Sequence, residues 1–363
     1  MPVALAYSTL VLFFLASAPL VWIYLLVMRL ARVPILPREP RRAVPWGLVD
    51  LLLGFVLLVG LSGVGIKLFP PEAKPKIPAP AETPAVEPVQ KVRKLDQLSL
   101  ADARNLISLD SGVKLIVAVL LVAAIGIRLR PSAADWGWTL AHWQRDVALG
   151  VGTFLATFAP MIGLQAALVF GLGWKYEHPM IDLVTRTKDP LLFGLSAVAA
   201  AVIAPLFEEF VFRGLLQGWL EKVFSGRAGA KTILLGGPDD EPPPVDLLSG
   251  AVPEYSTQRE PLDLSPYASP QPDDQPRMES LPDPAAVPAT RFDWLAIVCS
   301  MLVFSLLHFS HGPAWIPLLI FGAAVGFVYQ RTHRLWPGII AHMLLNATTI
   351  FGLWVQVFIG IPK

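Results

Sequence analysis

Apolar positions in this chain seldom alternate with polar ones; they run on for about twenty residues at a time, ending at arginines, prolines or short polar clusters. A helix that is apolar all round needs an apolar surrounding, and crossing about 30 Å of hydrocarbon takes roughly 20 such residues. Suitable stretches fall at 3–28, 45–67, 112–129, 147–173, 190–207, 293–311, 313–330 and 335–360. The pattern predicts an all-α polytopic membrane protein of about eight transmembrane helices, with its site in a cavity inside the bundle. The first stretch lacks a basic leader and stays apolar to Met28, so it reads as a retained helix rather than a signal peptide.

Two polar segments break the pattern. Both are dominated by proline, with scattered acids and serines, a composition that buries too little apolar surface to fold alone. The layout expected is N-terminal membrane helices in 1–69, a Pro-rich linker over 70–111, further membrane helices in 112–174, and a last helical region over 190–355 interrupted by a Pro-rich insertion at 226–290. Within the linker, Leu95, Leu98, Leu106 and Leu109 have helical spacing, which suits a helix lying on the membrane surface. In an eight-helix path Arg29, Arg32, Arg38, Arg41, Arg42, Arg128, Arg130, Arg145, Arg331 and Arg334 all fall on one side, which the positive-inside rule makes cytoplasmic.

Composition agrees with the pattern and removes alternatives. Hydrophobic residues make up 54% of the chain and charged residues 16%, with a net charge of +1, which gives no reason to expect a nucleic-acid partner. The lone cysteine, Cys299, excludes an internal disulfide framework and a thiolate metal cluster.

Against this background "APLFEEFVFRG" stands out, because Glu208, Glu209 and Arg213 follow directly on an apolar run. Each ionised side chain at mid-membrane costs about 2.5–3.5 kcal/mol when neither paired nor hydrated. Glu209 and Arg213 stand at i and i+4 with the acid first, the favourable order for an ion pair, which leaves Glu208 over. These charges suit a helix emerging into water, yet other apolar segments also carry polar groups: His308 and His311 in "FSLLHFSHG", His342 and Asn346 in "IIAHMLLNAT". Polar groups in lipid turn toward a cavity or one another.

These residue types fit water activation. A carboxylate and an imidazole can share a proton of water, while a second imidazole and an amide hydrogen-bond the oxyanion formed when a carbonyl is attacked. His342 and Asn346, one turn apart, can point to the same spot. The same Glu208, His308 and His342 are equally suited to holding zinc with a water in the fourth position. A proton relay through Glu208, His308 and His342, as in a proton-coupled carrier, is a further reading, although no internal duplication of the kind carriers show is visible.

The three motifs "EEFVFR" (Glu208 to Arg213), "FSLLH" (Phe304 to His308) and "HMLLN" (His342 to Asn346), in that order, resemble those of the CAAX-processing and bacteriocin-processing intramembrane protease family. Pro205, "RGLLQ" and "LWPGIIAH" add to the likeness, which spans about 190–355. The resemblance implies an endopeptidase in which Glu208 and His308 activate water, His342 and Asn346 stabilise the oxyanion, and Glu209 and Arg213 support them. It also implies a peptide or protein substrate near the membrane, in some relatives prenylated, and a multi-pass protein, here of a bacterial plasma membrane. No cofactor is required on this reading, zinc being the alternative. A noncatalytic immunity or scaffold role is a further alternative, opposed by retention of every motif residue.

Helix lengths add a constraint: straight helices would set His308 too deep relative to Glu208 and His342, so the sixth helix must be displaced or the fifth must bend, with Pro205 the natural place. The cavity is expected to open on the basic side. Other features are read more plainly. His142, His178 and His333 are expected in solvated loops, Trp136, Trp138 and Trp143 as interfacial anchors, and Gly322 with Gly326 as a close helix contact. The sequon at Asn346 is read as chance, since it lies inside a membrane helix.

Overall fold

Helices alone make up the ordered elements of the computed structural model, which describes residues 2–39, 43–70, 99–174, 179–237 and 292–359. They are α1 (Pro2–Leu30), α2 (Leu48–Leu68), α3 (Leu100–Leu129), the single turn α4 (Ala133–Trp136), α5 (Trp143–Ala166), α6 (Pro179–Thr187), the continuous rod α7 (Pro190–Ser225), α8 (Ala230–Leu235), α9 (Asp293–Leu306), α10 (Trp315–Thr332) and α11 (Trp336–Trp354). A wider π turn extends α5 to Gly171 and another extends α11 to Ile359. Among the described residues, seven helices are long and apolar enough to cross a membrane: α1, α2, α3, α5, α7, α10 and α11. The chain is an integral, multi-pass membrane protein.

The expected sixth crossing, 293–311, is shorter than its composition suggested. α9 has 14 residues, about 21 Å at 1.5 Å per residue, and stops at Leu306. A 3₁₀ turn, Phe309–Ala314, follows, with Gly312 in the left-handed region at φ 67° and Pro313 next to it. Neither residue continues an α-helix readily, so the chain does not resume α9 before Trp315. At the other end of the chain α3 is longer than expected. Ser99 caps it by accepting from the Asp102 N–H at 3.0 Å, so residues 100–111 are its first turns rather than a separate surface helix. Leu106 and Leu109 ride on α3, while Leu95 and Leu98 lie outside the described residues.

The centre of the bundle is formed by α5, α10, α11 and the middle of α7, around Phe154, Phe158, Phe212, Phe321, Val325 and Ala341. α1 packs along its flank, with Phe14 meeting Phe154 edge-on at 4.9 Å. Gly322 and Gly326 do bring helices close: an added Cβ would stand 3.0 Å from Met301 Cβ at the first and 3.1 Å from Ile297 Cγ2 at the second, both on α9.

Several loops are tied together on one face. Glu39 accepts from Arg145 at 2.8 Å and also from Arg334, whose Nε donates to the buried Asp146 at 2.6 Å. Trp46, fully buried, donates its indole N–H to the Leu215 carbonyl at 3.1 Å, and Lys222 donates to the Trp46 carbonyl at 3.0 Å. Gly237, next to α8, donates to the Pro45 carbonyl at 2.7 Å, so the expected insertion at 226–290 begins with chain anchored to this face; residues 238–291 lie outside the described set.

One expectation is overturned here. His333 is not solvated: it is 7% exposed, its backbone is left-handed at φ 51°, and its Nδ1 stands 3.6 Å from the Glu221 carboxylate. Trp136 stacks on Trp46 at 5.1 Å and packs against Phe210. Trp138, Trp143 and His142 are exposed, and His178 lies outside the described residues.

Candidate active site

The site is organised on α7. Asp189 caps this helix by accepting from the Leu192 N–H at 2.6 Å, and Pro190 occupies the first turn, where its missing N–H costs nothing. Arg104 of α3 donates to both Asp189 oxygens, at 3.1 and 2.6 Å; that bond, helped by the Leu192 N–H, holds the Asp189 carboxyl below the usual aspartate range.

From this anchored start α7 runs past the expected end at residue 207, as far as Ser225. Glu208 and Glu209 therefore lie mid-rod, and the reading in which they mark a helix leaving the bilayer fails. Glu209 is wholly buried and Arg213 nearly so. The rod loosens on either side of Pro205: Ala199–Ile203 and Phe210–Gln217 are wound as π turns around a short α segment, Ala204–Glu209. Such insertions concentrate at functional sites.

Glu209 reaches α11. Its Oε1 accepts from His342 Nδ1 at 3.0 Å, and its Oε2 stands 3.4 Å from Arg213 Nε in the anticipated i to i+4 pair. Because a carboxylate accepts, His342 carries a proton on Nδ1 and presents Nε2 on its other side. That Nε2 lies 3.8 Å from Glu208 Oε2, too far for a direct hydrogen bond and suited to a bridging water. The two adjacent acids thus flank one imidazole, with Glu209 wholly buried and Glu208 retaining 16% of its side-chain exposure. The Glu209–His342 bond was absent from the sequence reading, which had given Glu209 to Arg213 alone. A hint was present in Gly338, one turn before His342: a Cβ there would come within 2.8 Å of Glu209 Oε2.

His308 lies just beyond α9, in the turn that ends it. Its Nδ1 donates to the Phe304 carbonyl at 2.9 Å, and since a carbonyl can only accept, the neutral ring keeps its lone pair on Nε2. His311 follows within the 3₁₀ turn. Phe304, wholly buried, connects the parts: its ring centre lies 5.0 Å from that of His308 and 5.8 Å from that of His342, and the Arg213 guanidinium sits over its face at 4.9 Å. Phe321 of α10 closes on His342 edge-on at 5.2 Å. Both imidazoles therefore pack against one aromatic ring, that of Phe304.

Asn346, one turn beyond His342, donates to the Ala200 carbonyl at 2.8 Å. The Arg213 nitrogens make no hydrogen bond among the described residues, so charge and the Phe304 ring hold this cation. Also among the described residues, no three His, Cys, Asp or Glu side chains are placed to hold a metal ion.

A family model described as type II CAAX prenyl endopeptidase Rce1-like matches residues 190–237 and 284–348, which include every residue of the three motifs. The match covers less than half of the chain and supports a likeness to CAAX-type intramembrane proteases, the CAAX-processing and bacteriocin-processing family. No curated protein and no solved structure matches it.

Proposed function

We propose that the protein is an intramembrane endopeptidase that hydrolyses a peptide bond with water activated by Glu208 and His308. The observation behind this reading is His342, oriented through Nδ1 by one buried carboxylate and presenting Nε2 toward a second, less buried one. Glu208, with the His308 Nε2 lone pair, takes a proton from water as its oxygen attacks the carbonyl carbon. The oxyanion receives hydrogen bonds from Asn346 and from His342 Nε2, which donates when the ring holds both protons, with Glu209 supplying countercharge through Nδ1. The proton taken from water passes to the leaving amine as the carbon–nitrogen bond breaks. Water reaches the site through a cavity opening on the arginine-rich face, and the substrate is a peptide held near the membrane, lipidated in the manner of CAAX tails.

The test has two stages. Comparing membrane peptides from cells with the intact protein and with Glu208→Ala identifies cleaved sequences; purified protein in liposomes is then assayed on them. Equal cleavage by wild type and Glu208→Ala removes Glu208 from the reaction. Activity that survives exhaustive metal removal supports the glutamate-type mechanism, and activity lost on removal and restored by zinc replaces it. The two carboxylates flanking an imidazole also suit a proton relay, which a proton flux in liposomes that depends on Glu208, without proteolysis, would favour.

A further inference from the structure

The bond between Asn346 and Ala200 has a cause five residues past its acceptor, at Pro205. In the π turn Ala199–Ile203 the Ala204 N–H reaches back five residues to the Ala199 carbonyl. The next donor in that register, the one due at the Ala200 carbonyl, belongs to residue 205, and proline has no N–H. The wide turn and the proline together leave this carbonyl to a partner outside the helix, and Asn346 of α11 supplies one at 2.8 Å. Side chains from neighbouring helices commonly satisfy backbone groups that proline frees in a membrane.

From this we propose that Pro205 is a positioning residue for Asn346. A carboxamide has two N–H groups. By presenting an otherwise unmatched carbonyl, the Pro205 turn holds one of them and so fixes the plane of the amide, leaving the other N–H oriented for the oxyanion. This rests on the reading of Asn346 as an oxyanion donor and explains how a half-buried, rotatable side chain is kept in one orientation. Pro205 is itself buried beside Glu208 and Glu209 on the same short α segment, so the turn that introduces the acids also sets the amide.

The test is a double-mutant cycle of Pro205→Ala and Asn346→Ala, read twice on the full-length protein. Restoring an N–H at residue 205 gives the Ala200 carbonyl an in-helix donor. In thermal unfolding, Asn346→Ala is expected to lower Tm by about 2–4 °C in the wild type, as expected for orphaning one carbonyl, and by much less in the Pro205→Ala background. For cleavage of a quenched farnesylated CAAX peptide, Pro205→Ala is expected to lower kcat by about 10-fold with KM little changed, a fraction of the effect of removing an oxyanion donor. In the Asn346→Ala background it should lower kcat no further. Equal losses in both backgrounds, in Tm or in kcat, overturn the proposal, as does a fall in KM and kcat that follows Tm alone. If Pro205→Ala does not fold, Asn346→Asp serves in its place: a carboxylate facing the Ala200 carbonyl should reproduce the kcat loss, and full activity there overturns the role. A wild type that cleaves no peptide, with the Tm coupling intact, refutes the catalytic reading and leaves the bond as a structural cross-link only.

Discussion

Two polar clusters are embedded in this oily bundle, and they differ in what faces their carboxylates. Where the loops meet, Glu39 and Asp146 face the guanidinium groups of Arg145 and Arg334. Inside the bundle, Glu208 and Glu209 flank the imidazole of His342, and the Arg213 guanidinium, 3.4 Å from Glu209, makes no hydrogen bond among the described residues and rests on Phe304. Guanidinium keeps its proton at any accessible pH and locks carboxylates in a planar fork, whereas imidazole changes protonation near neutrality. The first cluster is suited to holding loops together; the second can accept a proton and return it. Polar residues in a membrane protein are therefore not equivalent markers of function, and the partner of each acid decides which kind it is.

The sharpest way to break this comparison is to remove an acid from the inner cluster. Glu208→Ala should lower kcat by about 1,000-fold while Tm stays near the wild-type value, since Glu208 keeps some exposure; a Tm collapse with unchanged specific activity would make the inner cluster structural too. Arg334→Met should do the reverse. It leaves Asp146 buried without its Nε–H donor and removes a partner of Glu39, a loss of about 3–5 kcal/mol in chemical unfolding, with specific activity of the folded fraction roughly unchanged. Gly338→Ala lies between the two. Its Cβ would press on Glu209 Oε2 and Val325, costing about 1–3 kcal/mol of stability, and the displaced carboxylate should slow turnover further than Gly150→Ala, which crowds α5 against α11 at Ile340. The smallest effect concerns the Arg104–Asp189 pair. Because the native Asp189 carboxyl is held below its unfolded value, the pair's contribution is complete above the ordinary aspartate range and disappears as pH falls through the lowered native one. Replacing Arg104 by Met should therefore reduce Tm at neutral pH and leave it unaltered at strongly acid pH.

How much of this was legible depends on how local each property is. Apolar runs of membrane length can be counted along the chain because hydrocarbon tests each helix for itself, and the main crossings were located that way. The 3₁₀ turn after α9 was also written locally, in Gly312 and Pro313, although the apolar residues around them concealed it. The length of α7 was not, because Arg213, Gln217 and Lys222 look like residues in water until their partners are seen: Gln217 donates to the Gly326 carbonyl at 2.8 Å, and Lys222 to that of Trp46. His333 was misjudged for the same reason, its countercharge Glu221 being on another helix.

By itself the sequence determined that this chain lives in a bilayer as helices, and that acids, imidazoles and an amide travel with it into the apolar core. Those are matters of residue type and spacing. Only the tertiary structure decided which of two neighbouring acids serves which partner, since successive residues point about 100° apart around a helix and the choice depends on how α7 is rotated toward α11. Gly338 permits that rotation by close approach, and the looser winding around Pro205 sets its phase.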